Sequence, residues 1–200
     1  MALYPELKGR IAAITGAAQG IGASTAREFA QQGTRVALID IDEPAAQKVA
    51  DELKAKGARA LVAKCDVTDD DSVSSALAKV AAEFGGLDIL VNSAGGYGKL
   101  TSVEELPIDD WDRTVALNLR GTFLMCKRAI PYLKKSRAGR IINVSSISGR
   151  TLFGSTSPAY AASKAGIIQL TRFLAIELGP SGITSNSIDR KSTRLNSSHT

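Results

Sequence analysis

The chain has 200 residues, 44% hydrophobic and 22% charged, which fits one globular domain with a sizeable core. Its formal charge of +5 depends on Arg190, Lys191 and Arg194 near the end, because the other 22 basic and 20 acidic side chains nearly cancel. The body has no basic stripe with interleaved aromatic residues, so we expect no nucleic-acid partner.

Five short apolar runs predict strands that are buried on both faces. They are RIAAIT (10–15), RVALID (35–40), RALVAKCDV (59–67), LDILVN (87–92) and RIINVSS (140–146). The helical segments between them are predicted at 20–32, 42–56, 69–84 and along a stretch from 107 to 135. Their starts carry Asp or Pro, and Gly follows the first three. This alternation predicts an α/β fold, a parallel sheet with helices on both faces.

Two features indicate the compartment. Cys65 and Cys126 lie in apolar surroundings without metal-ligand spacing, so we expect buried thiols in a reducing environment. The first ten residues hold no apolar leader, and no run reaches the length of a bilayer span. We therefore expect a cytoplasmic protein with no membrane partner.

The first strand runs directly into a glycine-rich turn, TGAAQGIG (15–22), at the start of a helix. Glycines let backbone N–H groups approach a phosphate, and a helix N-terminus favours negative charge, so the turn suits a pyrophosphate. The other interpretation is a merely tight strand-to-helix turn. The candidate cofactor-binding residues here are Gly16, Gln19, Gly20, Ile21 and Gly22.

Asp40 ends the second predicted strand, 18 residues after Gly22. A carboxylate at this place can accept hydrogen bonds from an adenosine ribose and repel a 2′-phosphate. The alternative is that Asp40 caps the next helix, although Asp42, beside Glu43 and Pro44, is the better cap candidate. Together with the glycine turn, Asp40 favours NAD over NADP as the cofactor.

Tyr160 and Lys164 lie four residues apart near the start of an apolar helical segment, so their side chains share one face. A neighbouring ammonium group stabilises a phenolate, which makes the pair a candidate acid/base. The same spacing occurs at Tyr4 and Lys8, so the spacing alone proves little. Ser146 ends the fifth strand, where ligands bind in parallel sheets, although hydroxyls at strand ends often bond only their own backbone.

In this order the residues resemble the short-chain dehydrogenase/reductase (SDR) family over residues 7–188. The matching motifs are Thr15-Gly16-x-x-x-Gly20-x-Gly22, Asn92-Ser93-Ala94-Gly95, Asn118, Ser146 and Tyr160-x-x-x-Lys164. The resemblance implies a Rossmann-like, doubly wound sheet with one active site per subunit. It also implies an oxidoreductase that transfers a hydride between a nicotinamide cofactor and an alcohol or ketone.

The resemblance assigns roles to individual residues. It implies that Tyr160 is the general acid/base, that Lys164 lowers its pKa and holds the nicotinamide ribose, and that Ser146 polarises the substrate oxygen. Asn118 supports a water relay to Lys164 in this scheme. The further cofactor-binding residues that the resemblance implies are Asp66 and Val67 at the adenine, and Asn92, Ala94 and Gly95 along the cleft.

Departures from the family pattern are few. Ser93 replaces the usual second Asn, and Gln19 and Ile41 stand where members that prefer NADP often carry a basic residue. In the loop 147–159, Arg150, Leu152 and Phe153 either face substrate or simply pack. The body holds no histidine, which argues against a Ser-His-Asp hydrolase or a His-ligated zinc dehydrogenase, and we expect no metal.

Three other functions stay open. One is an NADPH-dependent 3-oxoacyl-[acyl-carrier-protein] reductase, which belongs to the same family. Another is a non-catalytic nucleotide-binding regulator on this fold, and the last is a nucleic-acid binder that uses the basic end of the chain. The resemblance also implies a homodimer or homotetramer, in which Ala161, Ala165, Ile168 and Leu174 contact either a partner subunit or the core.

The end of the chain departs most from the family. Members run on for roughly 50 to 60 further residues, which include a last strand. Here residues 189–199, DRKSTRLNSSH, match the translation of a widely used sequencing-library adapter. We therefore expect residues 1–189 to be an NAD(P)-binding SDR domain that lacks its last strand, and residues 190–200 to be a non-native tail. The alternative is a natural disordered terminus.

A missing last strand would leave one edge of the sheet unpaired and expose apolar surface to solvent. We expect the 200-residue chain to be unstable or aggregated and nearly inactive, and the parent gene product, meaning the one that contains residues 1–189, to be an enzyme. The turnover of each protein, followed as NADH absorbance, tests this expectation. Equal turnover by the two would contradict it.

Overall fold

The computed structural model describes residues 4–151 and 156–190. Within these ranges six strands form one parallel sheet in the order β3-β2-β1-β4-β5-β6. The strands are β1 (Ile11–Thr15), β2 (Arg35–Asp40), β3 (Ala60–Lys64), β4 (Ile89–Asn92), β5 (Arg140–Ser146) and β6 (Thr184–Arg190). The helices are α1 (Gly20–Gln31), α2 (Glu43–Ala55), α3 (Asp70–Phe84), α4 (Ile108–Val115), α5 (Gly121–Leu133) and α6 (Pro158–Leu178). The predicted α/β class is confirmed.

The sheet is covered on both faces because its strands alternate between two apolar cores. In β1, Ile11 and Ala13 pack into the core under α3, α5 and α6, while Ala12 and Ile14 pack into the core under α1 and α2. Every residue of β1 is buried. Successive side chains of a strand point to opposite faces, so a continuously apolar strand needs helices on both sides. The result is the predicted Rossmann-like arrangement.

The long helical stretch predicted from 107 to 135 is two helices joined by a π-turn. This turn spans Ala116–Arg120 and separates α4 from α5. A π-turn of this kind inside an α-helix is frequent at functional sites. It carries Asn118, whose side chain is fully buried.

Beyond α6, a sixth strand forms although its residues are mostly polar. β6 pairs with β5 from Arg140↔Thr184 to Ser146↔Arg190. Ser185 is buried in it despite its polar side chain. The strand includes the backbone of Arg190, which the sequence assigns to the tail, while residues 191–200 lie outside the described residues.

Candidate active site

A cleft of about 500 Å³ opens at the carboxyl ends of β1 and β4. At this point the strand order reverses, because the chain builds outward from β1 through β2 and β3 and then from β4 through β5 and β6. Ligands of open α/β sheets bind at such a switch point. The sequence-predicted residues in its lining are Gly16, Gln19, Gly20, Ile21, Gly22, Asp40, Asp66, Val67, Ala94, Gly95, Asn118, Tyr160 and Lys164.

The glycine turn is packed tightly against the loop after β4. A Cβ at Gly16, which has φ of +65°, would lie 2.9 Å from Cα of Ala94, and one at Gly22 would lie 2.1 Å from the carbonyl oxygen of Gly16. The Thr15 hydroxyl oxygen accepts hydrogen bonds from the N–H groups of Ser93 and Ala94, both at 3.0 Å. Side chains are therefore excluded at Gly16 and Gly22, and the start of α1 faces the cleft with its backbone.

Asp40 is fixed beside this turn by two backbone groups. Its carboxylate accepts hydrogen bonds from the N–H of Ala18 at 2.9 Å and from the N–H of Asp42 at 3.0 Å. The cap of α2 is Asp42, whose side chain accepts from the N–H of Ala45 at 3.0 Å. The interpretation of Asp40 as the helix cap is thus wrong, and its carboxylate lies on the wall of the cleft.

The segment after β3 forms the far end of the cleft. Asp66 accepts hydrogen bonds from the N–H of Thr68 at 2.8 Å and from its hydroxyl at 2.7 Å. Val67 packs on Gly121, where an added Cβ would meet its side chain at 2.9 Å. Burial raises the pKa of the neighbouring Cys65 thiol to about 11, so this thiol stays protonated at neutral pH.

Asn92 lies beneath the cleft and does not line it. Its Nδ2 donates hydrogen bonds to Oδ1 of Asn143 at 2.8 Å and to the sulfur of Cys126 at 3.2 Å. Asn143 in turn donates to the Thr171 hydroxyl at 2.9 Å. These buried groups tie β4 and β5 to α5 and α6. The structure thus corrects the expectation for Asn92, because its side chain points into the protein from the last residue of β4.

Asn118 ties the π-turn to the loop after β4. Its Nδ2 donates to the carbonyl oxygens of Gly96 and Thr114, both at 2.8 Å, and its Oδ1 accepts from the N–H of Gly96 at 3.3 Å. A Cβ at Gly95 would lie 2.6 Å from Oδ1 of Asn118 and 3.6 Å from Nζ of Lys164. Asn118 and Lys164 therefore approach the same bare stretch of backbone.

Tyr160 and Lys164 line the other end of the cleft, and Ser146, which is not in the lining, lies beside Tyr160. Tyr160 is only 5% exposed, and this burial raises the pKa of its phenol, while a hydrogen bond with Ser146 acts to lower it. Lys164 Nζ lies 5.5 Å from the centroid of the Tyr160 ring and donates to the carbonyl oxygen of Val144 at 2.8 Å. Burial lowers the pKa of Lys164 to about 8, so the ammonium form still dominates at neutral pH.

The structure treats the second Tyr-x-x-x-Lys spacing differently. Tyr4 directly precedes a short 3-10 helix, Pro5–Leu7, and its N–H donates to Oε1 of Gln32 at 2.9 Å. Neither Tyr4 nor Lys8 lies in the cleft. The fold therefore separates two pairs that the sequence spacing alone cannot tell apart.

The sequence also singles out residues in the loop before α6 and on α6 itself. Arg150 forms an ion pair with Asp189, with 2.9 Å between Nε and Oδ2, while Leu152 and Phe153 lie outside the described residues. On α6, Ile168 and Leu174 are buried in this chain, Ala161 is half-buried and Ala165 is exposed.

Sequence reasoning gave no role to Tyr97, which also lines the cleft. The signal in the sequence is its place in the loop that follows the fourth strand, directly after Gly95 and Gly96, because ligands bind at the carboxyl ends of parallel strands. Over 4–151 and 156–190, no helix is both long and apolar enough to cross a bilayer. No cluster of three or more His, Cys, Asp or Glu in those ranges is placed to hold a metal ion.

A family model described as "short chain dehydrogenase" matches residues 10–194. The chain belongs to this family. It is accordingly an NAD(P)-dependent oxidoreductase with the family's Rossmann-like fold.

Three relatives illustrate the similarity. D-threitol dehydrogenase of Mycolicibacterium smegmatis is 43% identical over 92% of this chain and 70% of its own length. Cis-4-hydroxycyclohexanecarboxylate dehydrogenase of Sinomonas cyclohexanicum is 42% identical over 90% of this chain and 71% of its own length. A crystal structure of NAD⁺-bound xylitol dehydrogenase superimposes with a TM-score of 0.89 at 34% identity, and covers 92% of this chain and 70% of that one.

Proposed function

We propose that this dehydrogenase uses NAD to oxidise an alcohol to a ketone, or the reverse, with Tyr160 as its general acid/base. The observation that carries the proposal is that Tyr160 and Lys164 line one end of the cleft that begins at the glycine turn, with Ser146 hydrogen-bonded to Tyr160. Two relatives named as dehydrogenases of hydroxyl compounds support this substrate class. Residues 1–189 are the NAD(P)-binding domain in this proposal.

The residues of the cleft fit a dinucleotide. The turn at Gly16 to Gly22 presents backbone with no side chain in the way, and α1 begins there with its positive dipole end. In this proposal Asp40 holds the adenosine ribose and Asp66 and Val67 lie against the adenine, and all three line the cleft. The bound nicotinamide supplies a carbon that accepts or donates the hydride.

The protein supplies the proton chemistry. In the oxidation direction the substrate O–H gives its proton to Oη of the ionised Tyr160, and Ser146 donates a hydrogen bond to the substrate oxygen. Burial raises the pKa of Tyr160; in this proposal the Lys164 ammonium, 5.5 Å from the ring centroid, acts in the opposite direction because a nearby cation stabilises a phenolate. In the reduction direction the same proton returns to the substrate oxygen from Tyr160.

Asn118 completes the proposal as the support of a water relay to Lys164. Its amide is held by Gly96 and Thr114, and its Oδ1 and Nζ of Lys164 both approach Gly95. A water there would have polar partners on two sides. Lys164 would then exchange its proton with solvent without moving its side chain.

The test of the proposal is alcohol-dependent reduction of NAD by the parent gene product, followed as NADH absorbance. D-threitol and cis-4-hydroxycyclohexanecarboxylate are the first probes, and their oxidation should depend on Tyr160. Higher rates with NADPH and a 3-oxoacyl thioester would favour the reductase alternative. NAD binding without turnover of any probe would favour a nucleotide-binding regulator.

We expect the change of Asp40 to Ala or to Asn to relax the preference for NAD over NADP. Each change removes the charge that repels a 2′-phosphate, and Ala also removes the acceptor for the ribose. Hydrogen bonds to charged groups of this kind are worth about 10- to 100-fold in affinity. Steady-state kcat/KM with NAD and with NADP measures the effect.

The matched control is Asp42→Asn, because it removes a carboxylate two residues away and keeps a good helix cap. Its cofactor preference should equal that of the wild type. Asp40 variants that keep the wild-type ratio of the two kcat/KM values would contradict the assignment.

Assembly and location are also part of the proposal. Exposed apolar side chains lie on the outer faces of α5 and α6: Phe123, Phe173 and Ile176. They support a homodimer or homotetramer in which these helices meet a second subunit. The buried thiols of Cys65 and Cys126 fit a reducing, cytoplasmic environment.

A further inference from the structure

The ring of Tyr97 lies against the ring of Tyr160. Their centroids are 4.7 Å apart and their planes are inclined by 33°. Both side chains line the cleft, but Tyr97 is 53% exposed and Tyr160 only 5%. Aromatic pairs at this separation that are inclined to each other attract beyond simple burial of their area. The outer ring therefore covers part of the inner one.

The backbone on the N-terminal side of Tyr97 is fixed. Gly96 exchanges two hydrogen bonds with the Asn118 side chain, because its N–H donates to Oδ1 and its carbonyl oxygen accepts from Nδ2. Asn118 itself is fully buried in the π-turn. The residue before Tyr97 is thus tied to the helical layer.

The backbone on the C-terminal side is fixed as well. Gly98 has φ of +66°, and a Cβ there would lie 2.4 Å from the Thr114 hydroxyl and 3.2 Å from the Ser157 hydroxyl. The N–H of Lys99 donates to the Asp110 carboxylate at 2.8 Å, and this bond is the main reason that the pKa of Asp110 lies below its ordinary value. Tyr97 is consequently held in place from both directions.

We propose that Tyr97 is a positioning residue that holds the phenol of Tyr160 in one orientation and shields it from water. The inference rests on the proposed function, in which Tyr160 moves the proton. A phenol that swings or hydrates loses alignment with the substrate oxygen, and small losses of alignment lower the rate strongly. Tyr97 acts through Tyr160 and takes no part in proton transfer.

Shielding by the Tyr97 ring also affects the titration of Tyr160. Burial is the largest influence on the pKa of Tyr160 and raises it. Removal of the Tyr97 ring admits water to Tyr160, which stabilises the phenolate, so the pKa should fall. Tyr97→Phe keeps the ring and should leave the pKa at its wild-type position.

The first experiment measures this titration without any turnover. Tyr97→Ala, Tyr97→Phe and wild-type parent protein are each compared with the same protein that also carries Tyr160→Phe. The ultraviolet difference spectrum of each pair isolates the ionisation of Tyr160. We expect a lower pKa with Tyr97→Ala and an unchanged one with Tyr97→Phe.

The matched control is Leu100→Ala, which removes an exposed side chain from the same loop. It should leave the Tyr160 titration unchanged. An unaltered titration in Tyr97→Ala, or an equal shift in Leu100→Ala, would overturn the inference. In the second case the loop as a whole, and not the aromatic contact, would set the environment of Tyr160.

The second experiment separates kcat from KM with D-threitol or cis-4-hydroxycyclohexanecarboxylate as the probe. Tyr97→Ala should lower kcat about 2- to 10-fold, the range that loss of one aromatic pair supports, with the KM for NAD unchanged. Its pH profile should shift in the direction of the spectroscopic titration, and Tyr97→Phe should restore both. A rise in substrate KM alone would overturn the positioning role and make Tyr97 a substrate contact.

The two proposals fail differently. A wild-type protein that shows no Tyr160-dependent turnover would refute the proposed function, whereas the spectroscopic titration would still decide whether Tyr97 shields Tyr160. Turnover that depends on Tyr160 but is indifferent to Tyr97→Ala in kcat and in pH profile would refute the positioning role alone.

Discussion

Replacement of Tyr160 by Phe should lower kcat about 10²- to 10⁴-fold and leave NAD affinity nearly unchanged. The change removes one oxygen atom, and with it the group proposed to exchange the proton with the substrate. The ring remains, so the contact with Tyr97 and the space that the side chain fills are kept. NADH absorbance gives kcat, and quenching of protein fluorescence by NADH gives the affinity.

The matched control is Tyr4→Phe. Tyr4 has the same four-residue spacing to a lysine, but it lies outside the cleft. We expect wild-type kinetics from it. Retained turnover in Tyr160→Phe would refute the assignment of the acid/base. A large loss of turnover in Tyr4→Phe would mean that position in the cleft does not distinguish the two tyrosines.

Gly22→Ala should unfold the protein more easily and weaken NAD binding. The new Cβ would lie 2.1 Å from the carbonyl oxygen of Gly16 and 2.6 Å from its carbonyl carbon. Both atoms belong to the backbone, which cannot turn aside as a flexible side chain can. Overpacking of this severity costs about 3 kcal/mol in the free energy of unfolding. Urea unfolding measures the loss, and NADH titration measures the weaker binding.

Gly179→Ala is the control for Gly22→Ala, because a Cβ at Gly179 would meet nothing within 4 Å. Its free energy of unfolding should stay within about 0.5 kcal/mol of the wild type. An equally stable Gly22→Ala protein that binds NAD normally would mean that the turn is looser than the close approach of Gly16 and Gly22 indicates.

Much of the fold was predictable because hydrophobic period and helix caps are local signals. The start of α2 at its cap Asp42 and the burial of β1 on both faces follow from the sequence in this way. The end of β3 does not. The apolar run continues to Val67, but the strand stops at Lys64, and the Asp66 carboxylate then bonds to Thr68 in a turn. Hydrogen bonds of this kind compete with a sheet ladder locally.

Strand β6 is the opposite case, because it forms without the apolar pattern that predicts a strand. Ser185 is polar, yet it pairs with Ile141 in a register that extends over the full length of β5 and β6. Hydrogen bonds to the neighbouring strand stabilise β6, although the side chain of Ser185 has little preference for a strand. A partner strand far away in sequence therefore decides a structure that local preference leaves undecided.

The site was predictable where a motif fixes backbone and side chain together. The glycine turn and the Tyr160 and Lys164 pair come to one cleft, as their placement at strand and helix ends suggests. Asn92 was misplaced because the motif fixes its position in the chain but not the face of β4 from which its side chain points. Tyr97 was overlooked because its partner, Tyr160, is far away in sequence.

The π-turn has a consequence for how this chain tolerates insertions and deletions. Each residue of an α-helix advances the direction of the side chains by about 100°, and a π-turn takes in an extra residue within one turn. Deletion of one residue from Ala116–Arg120 would therefore leave a regular helical turn, and α5 would keep its present orientation on the sheet. Phe123 would stay on the surface and Met125 in the core. The same deletion within α5 would displace both, so the short turn that carries Asn118 is the place in this helical stretch where the loss of a residue disturbs the packing of α5 least.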